Sequence, residues 1–225
     1  MKPRIKLAQS QTGEGATISL YQHDGDYSIS LNGQELMHSK LNYSECAMGD
    51  LGVEHLLPQA KARILIGGLG LGFTLASVFK KTDANTSIEV VELLPAIIDW
   101  NLEFLTSLNG KLLTQDRVSV HPLDVVTYIQ NAPPESYDAI LLDIDNGPTA
   151  LVMKSNNSLY SNPGLRSIHQ ALKSNGRAVF WSAGPDQPFE ARLRKNGFKT
   201  KAIPTKTHPG AKRAAYFLYQ ADKST

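Results

Sequence analysis

The chain has 225 residues, a mass of 24.6 kDa and 41% apolar residues, enough to fill the core of one domain with a small additional unit. Its net charge of +2 is too small to indicate nucleic-acid binding by itself. The single cysteine, Cys46, excludes an internal disulfide and a zinc site built from several thiolates.

The N-terminal residues, MKPRIKLAQSQTGEG, lack the apolar region of a signal peptide, and no later stretch reaches about 18 apolar residues without charge or glycine. We therefore expect a cytoplasmic protein that does not contact a membrane. Residues 190–213 hold eight Lys or Arg against one acid, Glu190. Because basic helix faces are common, we interpret this segment as a solvated surface and do not expect a nucleic-acid partner.

Residues before about position 40 have a β pattern. The segments ATISLYQ and DYSISLN alternate around the turn formers HDG, and Asn32-Gly33 leads into QELM. This pattern predicts a three-stranded meander in a small N-terminal domain, residues 1–42. A linking helix is predicted over residues 43–57, at the start of a catalytic domain that covers residues 43–225.

Strand and helix patterns alternate after that point. Helices are predicted near 72–80, 95–108, 124–131 and 163–173, between the strand segments RILIGG, SIEVVEL, RVSVHPL, YDAILLDI and GRAVFWSA. A last helix, QPFEARLRKNG, precedes the strand pair FKTKAIPT and KRAAYFLYQ. We predict an α/β fold: a doubly wound, mostly parallel, seven-stranded sheet with one antiparallel strand.

The turn between the first of these strands and its helix is rich in glycine, with Gly67, Gly68, Gly70 and Gly72. Glycines allow a tight turn and let a ligand contact the backbone where a Cβ would block it. In open sheets of this kind, ligands bind at the carboxyl ends of the strands. The spacing differs from the dinucleotide motif, which would need glycine at Phe73, and no P-loop Lys-Ser/Thr follows.

Two acids follow neighbouring strands. Glu92 lies 20 residues after Gly72, where a carboxylate accepts hydrogen bonds from the two hydroxyls of a ribose. Asp124 follows the next strand, where it either caps a helix or accepts a hydrogen bond from an adenine amino group. Together with the glycine loop, these acids predict an adenosine site that suits S-adenosylmethionine or a close relative, without a metal.

From about residue 17 to residue 220, the order of motifs resembles the spermidine synthase family, the polyamine aminopropyltransferases. KLNYSEC is similar to the family's SYQEM, ILIGGLGLG to its LIIGGGDGG, and VVELLPAII to the strand and acid that hold the ribose. VHPLD stands where the family has its adenine-contacting GD, LLDIDNGP resembles the DSSDPxGP gate, and IPTKTHPG resembles IPTYPSG. The resemblance implies a class I methyltransferase-like fold and a homodimer formed through the β-domains.

The resemblance also implies roles for individual residues. Glu92 would bind the ribose, Asp124 the adenine, and Tyr43 would line the pocket of a small amine acceptor. Asp143 would be the catalytic acid-base residue, with Asp145 sharing this task or holding the loop. The chemistry agrees for Asp143, because an ammonium group must lose a proton before it can attack the carbon bound to a sulfonium.

The chain departs from the family at groups that contact the substrates. The family's loop acid, which contacts the amine of decarboxylated S-adenosylmethionine, aligns with Gly70. The glutamine of SYQEM is Ser44, a second donor-binding glutamine falls near Ala16, and the tyrosine of IPTYP is Lys206. The gate is also two residues shorter.

Three functions therefore stay open. The family likeness favours aminopropyl transfer from decarboxylated S-adenosylmethionine to an amine. The change at Gly70 favours methyl transfer from S-adenosylmethionine, since no acid would repel the donor's carboxylate and backbone N–H groups would face it. The third possibility is a module without catalysis that binds a nucleoside or a partner.

Overall fold

The computed structural model describes residues 3–59, 61–143, 158–208, 210–211 and 213–224. Within these residues, a four-stranded antiparallel sheet precedes a seven-stranded, mostly parallel sheet. The N-terminal sheet has the order β1-β2-β3-β4. Its strands are β1 Ile5–Gln11, β2 Thr17–His23, β3 Asp26–Leu31 and β4 Gln34–His38.

Two tight turns build this sheet, as the sequence predicts. Asp24 and Gly25 join β2 to β3, and Asn32 and Gly33 join β3 to β4. All four residues have positive φ angles, between 49° and 88°. A two-residue hairpin turn of this handedness requires such angles, which Gly, Asn and Asp adopt most readily.

The N-terminal sheet has one strand more than the predicted three-stranded meander. The additional strand is β1, which pairs with β2 at the edge of the sheet and contains an irregularity between Lys6 and Ala8. Its side chains are exposed or partly exposed, so it lacks the apolar-polar alternation that identifies half-buried strands. This prediction was wrong because an exposed edge strand carries little hydrophobic signal.

Helix α1, Tyr43–Val53, connects the two sheets. The strands of the larger sheet are β5 Arg63–Gly67, β6 Ser87–Val91, β7 Val118–His121, β8 Tyr137–Leu142, β9 Leu172–Ser182, β10 Phe198–Thr205 and β11 Tyr216–Lys223. The helices among them are α2 Phe73–Lys81, α3 Pro95–Glu103, α4 Val125–Gln130, α5 Asn162–Ala171 and α6 Gln187–Lys195. A short 3-10 helix covers Gly110–Thr114.

The larger sheet has the order β10-β11-β9-β8-β5-β6-β7. Strands β5 to β9 pair in parallel, and β11 is antiparallel to both β9 and β10. The predicted doubly wound, seven-stranded sheet with one antiparallel strand is therefore confirmed. Strand order reverses at β5, which lies between β8 and β6, and this switch point is where open α/β sheets bind ligands.

Apolar clusters cover both faces of this sheet. Ile64 and Ile66 of β5 belong to the cluster that includes Met48, Leu75 and Trp100 from helices α1, α2 and α3. Leu65 and Val91 belong to a second cluster, together with residues of α4, α5 and α6. Alternate residues of a central strand thus pack on opposite faces, as expected for a sheet between two helical layers. Among the described helices, none is long and apolar enough to cross a membrane.

Candidate functional site

The carboxyl ends of four parallel strands meet at one edge of the larger sheet. Gly67, the last residue of β5, is in register with Val91 of β6 and with Leu142 of β8, and Val91 is in register with His121 of β7. The residues that follow these ends therefore lie side by side. They include the glycine loop, Glu92, Asp124 and Asp143.

A cavity of about 330 Å³ lies at this edge. It is at the lower end of the size range of small-molecule sites. The N-terminal sheet closes one side of it with Ile18, Ile29 and residues 35–38, and α1 contributes Ser44 and Glu45. Strands β9 and β11 add Trp181 and Tyr216, whose rings are 4.8 Å apart.

The four predicted glycines divide into two groups. Gly68 and Gly70 line the cavity and have positive φ angles of 90° and 51°. Gly67 instead packs inside the sheet, where a Cβ would lie 2.8 Å from Leu142 and 2.9 Å from Val125. Gly72 caps the N-terminus of α2 with a φ of 79°. Gly67 and Gly72 thus shape the loop, whereas Gly68 and Gly70 present backbone to the cavity.

Gly70 faces the N-terminal sheet across the cavity. A Cβ at this position would lie 3.0 Å from Met37 Sδ and 3.5 Å from Met37 Cε. A Cβ at residue 70 would therefore be next to the thioether of Met37. Met37, which also lines the cavity, was not singled out from the sequence, since a methionine in a short strand is typical of a core residue.

Glu92 lines the cavity and holds the glycine loop in place. Its side chain is only 8% exposed. One carboxylate oxygen accepts a hydrogen bond from Leu69 N at 2.9 Å and the other from Leu94 N at 2.8 Å. Burial raises the pKa of Glu92 and these backbone donors lower it, with burial the larger effect. The backbone groups of Gly70 and Leu93 also lower the pKa of Glu92, so the carboxylate is surrounded by backbone donors of the glycine loop and of the start of α3.

Asp124 has the predicted helix-capping role, while its contact with an adenine amino group stays a prediction. It is the N-cap of α4, with Oδ1 accepting a hydrogen bond from Val126 N at 2.9 Å, and it also lines the cavity. The cap fixes the side chain at the carboxyl end of β7. The structure therefore gives Asp124 a structural role and leaves it accessible to a ligand.

Asp143 follows β8 directly and lines the cavity. Its backbone N–H donates to Gly67 O at 2.9 Å, and its Oδ2 lies 3.3 Å from Thr74 Oγ1. Burial, and secondarily the negative charge of Glu45, raise the pKa of Asp143 to about 7. A carboxyl group whose pKa is close to neutral can both accept and donate a proton at physiological pH.

With Glu35, Glu45 is one of two cavity carboxylates that were not assigned from the sequence. It lines the cavity on α1, accepts a hydrogen bond from Ser44 Oγ at 2.5 Å, and has a pKa raised by burial. Its charge also raises the pKa of Tyr216, although burial has the larger effect there. The available signal was the acid within KLNYSEC, two residues after Tyr43 at the start of a helix.

Two glycines of α1 explain how Glu45 comes close to Asp143. At Gly49, a Cβ would lie 2.5 Å from Ser77 Cβ and 2.9 Å from Thr74 O. At Gly52, a Cβ would lie 2.7 Å from Leu141 of β8. The missing side chains let α1 pack directly against α2 and β8, and this packing brings the N-terminal end of α1 to the carboxyl end of β8.

Two other predicted positions are not part of the cavity lining, and a third is outside the described residues. Tyr43 is the first residue of α1, is 40% exposed and is not among the residues that line the cavity. Lys206, which follows β10, is also absent from the cavity lining. Asp145 lies outside the described residues, as does the rest of the shortened gate. Their predicted roles stay predictions.

The cavity has a strongly acidic lining. Among the described residues that line the cavity, none is a lysine or an arginine. The same residues do include one histidine, His38. The carboxylates that line the cavity are Glu35, Glu45, Glu92, Asp124 and Asp143. Such a lining favours cations and disfavours anions.

Comparisons with known proteins agree with this geometry. The family model described as "Spermine/spermidine synthase domain" matches residues 43–192, about two thirds of the chain. A polyamine aminopropyltransferase of Prochlorococcus marinus (strain MIT 9312) is 25% identical over 163 residues, which are 72% of this chain and 52% of that protein. Spermidine synthase 2 of Hyoscyamus niger is 29% identical over 139 residues, 59% of this chain and 41% of that protein. The chain thus spans about half the length of these curated relatives.

Solved structures show the same fold. A spermidine synthase in complex with the transition state analogue AdoDATO superposes with a TM-score of 0.73 at 18% identity, covering 97% of this chain and 74% of that one. Human methyltransferase-like protein 13 in complex with SAH superposes with a TM-score of 0.58 at 19% identity, covering 81% of this chain and 80% of that one. From the match over residues 43–192 and the shared fold, the chain belongs to the spermine/spermidine synthase family.

Proposed function

We propose that this protein transfers an aminopropyl group from decarboxylated S-adenosylmethionine to a small amine. The observation that carries this proposal is the acidic cavity at the switch point of the sheet. Its lining contains carboxylates and, within the described chain, neither lysine nor arginine. Both substrates of an aminopropyl transfer are cations, and family membership supports the same reaction.

The donor would bind along the glycine loop. Glu92 would accept hydrogen bonds from the ribose hydroxyls, and the support for this role is that it lines the cavity and accepts hydrogen bonds from Leu69 N and Leu94 N. Asp124 would accept a hydrogen bond from the adenine amino group with the oxygen that does not cap α4. The backbone at Gly68 and Gly70 would contact the donor, because neither residue has a side chain to exclude it.

Asp143 would be the base that prepares the acceptor. The acceptor enters as an ammonium ion and gives a proton to the Asp143 carboxylate. Its freed lone pair then forms a bond to the carbon next to the sulfonium, while the carbon–sulfur bond breaks and sulfur leaves as a neutral thioether. Because the pKa of Asp143 is raised to about 7, its carboxylate is a stronger base than an ordinary aspartate.

Methyl transfer from S-adenosylmethionine is the second candidate. Gly70 has no carboxylate that would hold the amine of the decarboxylated donor or repel the carboxylate of S-adenosylmethionine. A Cβ at Gly70 would lie 3.0 Å from Met37 Sδ, so the neighbouring group is an uncharged thioether. The same acidic lining weighs against this candidate, because S-adenosylmethionine carries a carboxylate that its decarboxylated form lacks.

Calorimetric titration with the two nucleosides separates these candidates. Aminopropyl transfer predicts tighter binding of decarboxylated S-adenosylmethionine, followed by formation of an aminopropylated amine and methylthioadenosine detected by mass spectrometry. Tighter binding of S-adenosylmethionine would instead favour methyl transfer. Nucleoside binding without turnover on any amine would leave a binding module without catalysis.

We also propose a homodimer and a division into a β-domain, residues 1–42, and a catalytic domain, residues 43–225. The exposed edge strand β1 and the connection by α1 support these two proposals. Sedimentation of the protein at micromolar concentration tests the first, since a species of about 25 kDa would exclude the dimer.

A further inference from the structure

Among the cavity carboxylates that have no ion pair within the described residues, Glu92 and Asp124 accept hydrogen bonds from backbone N–H groups, whereas the side chains of Glu45 and Asp143 accept hydrogen bonds from hydroxyl groups. Glu45 and Asp143 both line the cavity, and no Lys, Arg or His nitrogen forms an ion pair with either of them in the described part of the chain. Their side-chain partners are hydroxyl groups, Ser44 for Glu45 and Thr74 for Asp143. Buried charges in proteins are normally paired, so a bound ammonium ion would supply these two carboxylates with a partner that the described residues do not provide.

The cavity lining contains no lysine or arginine among the residues that the structure describes. On α1, the next acid is Asp50, which accepts a hydrogen bond from Ser77 and pairs with Lys81. Strand β11 contributes the neutral phenol of Tyr216. The other titratable groups of the lining are Glu35, His38, Glu92 and Asp124.

The hydroxyl of Thr74 connects the two residues. Thr74 Oγ1 lies 3.3 Å from Asp143 Oδ2 and 3.5 Å from the carbonyl oxygen of Glu45. Thr74 is the second residue of α2, and α1 packs against this helix through Gly49. The position of Glu45 relative to Asp143 is therefore fixed by helix packing and does not depend on a flexible loop.

We propose that Glu45 is a second acceptor-binding carboxylate, which receives the reacting ammonium group together with Asp143, and that this amine displaces a proton held by the two carboxylates. This inference rests on the proposed function, which it deepens by assigning the acceptor subsite to α1. The proton leaves to solvent when the ammonium ion binds, so charge is conserved at the site. Glu45 then remains ionised and keeps Asp143 basic for the transfer step.

The test is calorimetric titration of the full-length protein with n-butylamine and with 1,4-diaminobutane, in buffers of different ionisation enthalpy. We expect the wild type to release about half a proton per amine at pH 7, where Asp143 with its pKa of about 7 is half protonated, and close to one proton at pH 6. Glu45→Gln should release fewer protons than the wild type at both pH values. We expect Glu45→Gln to weaken amine binding roughly 10- to 100-fold. Its amine binding should also persist to lower pH, because Asp143 no longer has a negative neighbour.

Asp50→Asn is the matched control, because it removes the same charge from the same helix outside the cavity lining. It should bind amine and release protons like the wild type. Glu45→Asp should recover part of the affinity, and thermal melts of each variant show that it is folded. Where Glu45→Gln does not fold, the comparison of Glu45→Asp with the wild type decides.

The outcomes separate this inference from the proposed function. If Asp143→Asn weakens amine binding but Glu45→Gln leaves both affinity and proton release unchanged, the role of Glu45 is refuted and the proposed function stands. If the wild type binds neither amine, both are refuted. If Asp50→Asn weakens amine binding as much as Glu45→Gln, then the loss of any negative charge on α1 weakens binding, and the assignment of Glu45 to the acceptor subsite is wrong.

Discussion

The hydroxyl of Thr74, at the start of α2, lies 3.3 Å from the carboxylate of Asp143, at the end of β8. This contact joins the helix after the glycine loop to the proposed base. The hydrogen bond lowers the pKa of Asp143, whereas burial and the charge of Glu45 raise it. The opposing effects leave the group close to neutral pH.

Thr74→Val should move the pH dependence of transfer to higher pH. The valine has nearly the same shape but cannot donate to Asp143, so the carboxylate becomes harder to ionise. The measurement is kcat/KM against pH from 6 to 9, with Thr74→Ser as the control that retains the hydroxyl. A Thr74→Val profile that coincides with that of Thr74→Ser would show that the hydroxyl does not influence the base.

Asp143→Asn should abolish turnover and yet stabilise the folded protein at pH 8. The pKa of Asp143 is raised to about 7 in the folded state from an ordinary value of 3.8, so its ionisation opposes folding. Stability from this group is fully present below pH 3.8 and is lost as pH rises through about 7.

Thermal unfolding of wild type and Asp143→Asn at pH 4 and pH 8 measures this effect. At pH 8, the melting temperature of the variant should exceed that of the wild type by roughly 2–4 °C for each kcal/mol by which the free energy of unfolding increases. The difference should be smaller at pH 4. Equal differences at the two pH values would mean that Asp143 is not the group responsible. Full turnover by the variant would refute its role as base.

Glu92→Gln should weaken nucleoside binding and destabilise the fold. The glutamine has one acceptor oxygen for two backbone donors, Leu69 N and Leu94 N, and leaves one of them without a partner. An unsatisfied buried donor costs about 1–3 kcal/mol. Titration with decarboxylated S-adenosylmethionine and chemical denaturation measure the two effects, and Glu103→Gln, at an exposed position of α3, is the control.

Gly49→Ala should separate α1 from α2 and reduce activity without touching the cavity. The new methyl would lie 2.5 Å from Ser77 Cβ and 2.9 Å from Thr74 O, so the helices must move apart. Overpacking of this kind costs about 1–3 kcal/mol. We expect a lower melting temperature together with weaker amine binding, since Glu45 moves with α1. Unchanged binding in a destabilised variant would mean that the spacing of the helices does not position Glu45.

Much of the site could be predicted from the sequence because its parts are local. The glycine loop, Glu92, Asp124 and Asp143 each follow a strand directly, and parallel strands bring such positions to one edge of the sheet. Asp124 was harder, since a helix N-cap and a ligand-contacting acid have the same sequence signal. The structure shows the helix cap and places Asp124 in the cavity lining, while its contact with an adenine amino group stays a prediction.

The contribution of the N-terminal sheet could not be predicted, because packing between distant segments leaves no periodic signal. Met37 opposite Gly70 is one such contact and joins residues 33 positions apart in the chain. The exposed strand β1 was missed for a related reason, since its side chains do not alternate between core and solvent.

Apart from β1, the sequence alone determined the order of the strands and the main helices and the identity of three acids near the strand ends, because hydrophobic periodicity and turn chemistry act over a few residues. Only the tertiary structure decided that Glu45 lines the same cavity as Asp143. That relationship depends on how closely α1 approaches α2 and β8, and the approach is set by contacts of Gly49 and Gly52 with residues far away in the chain.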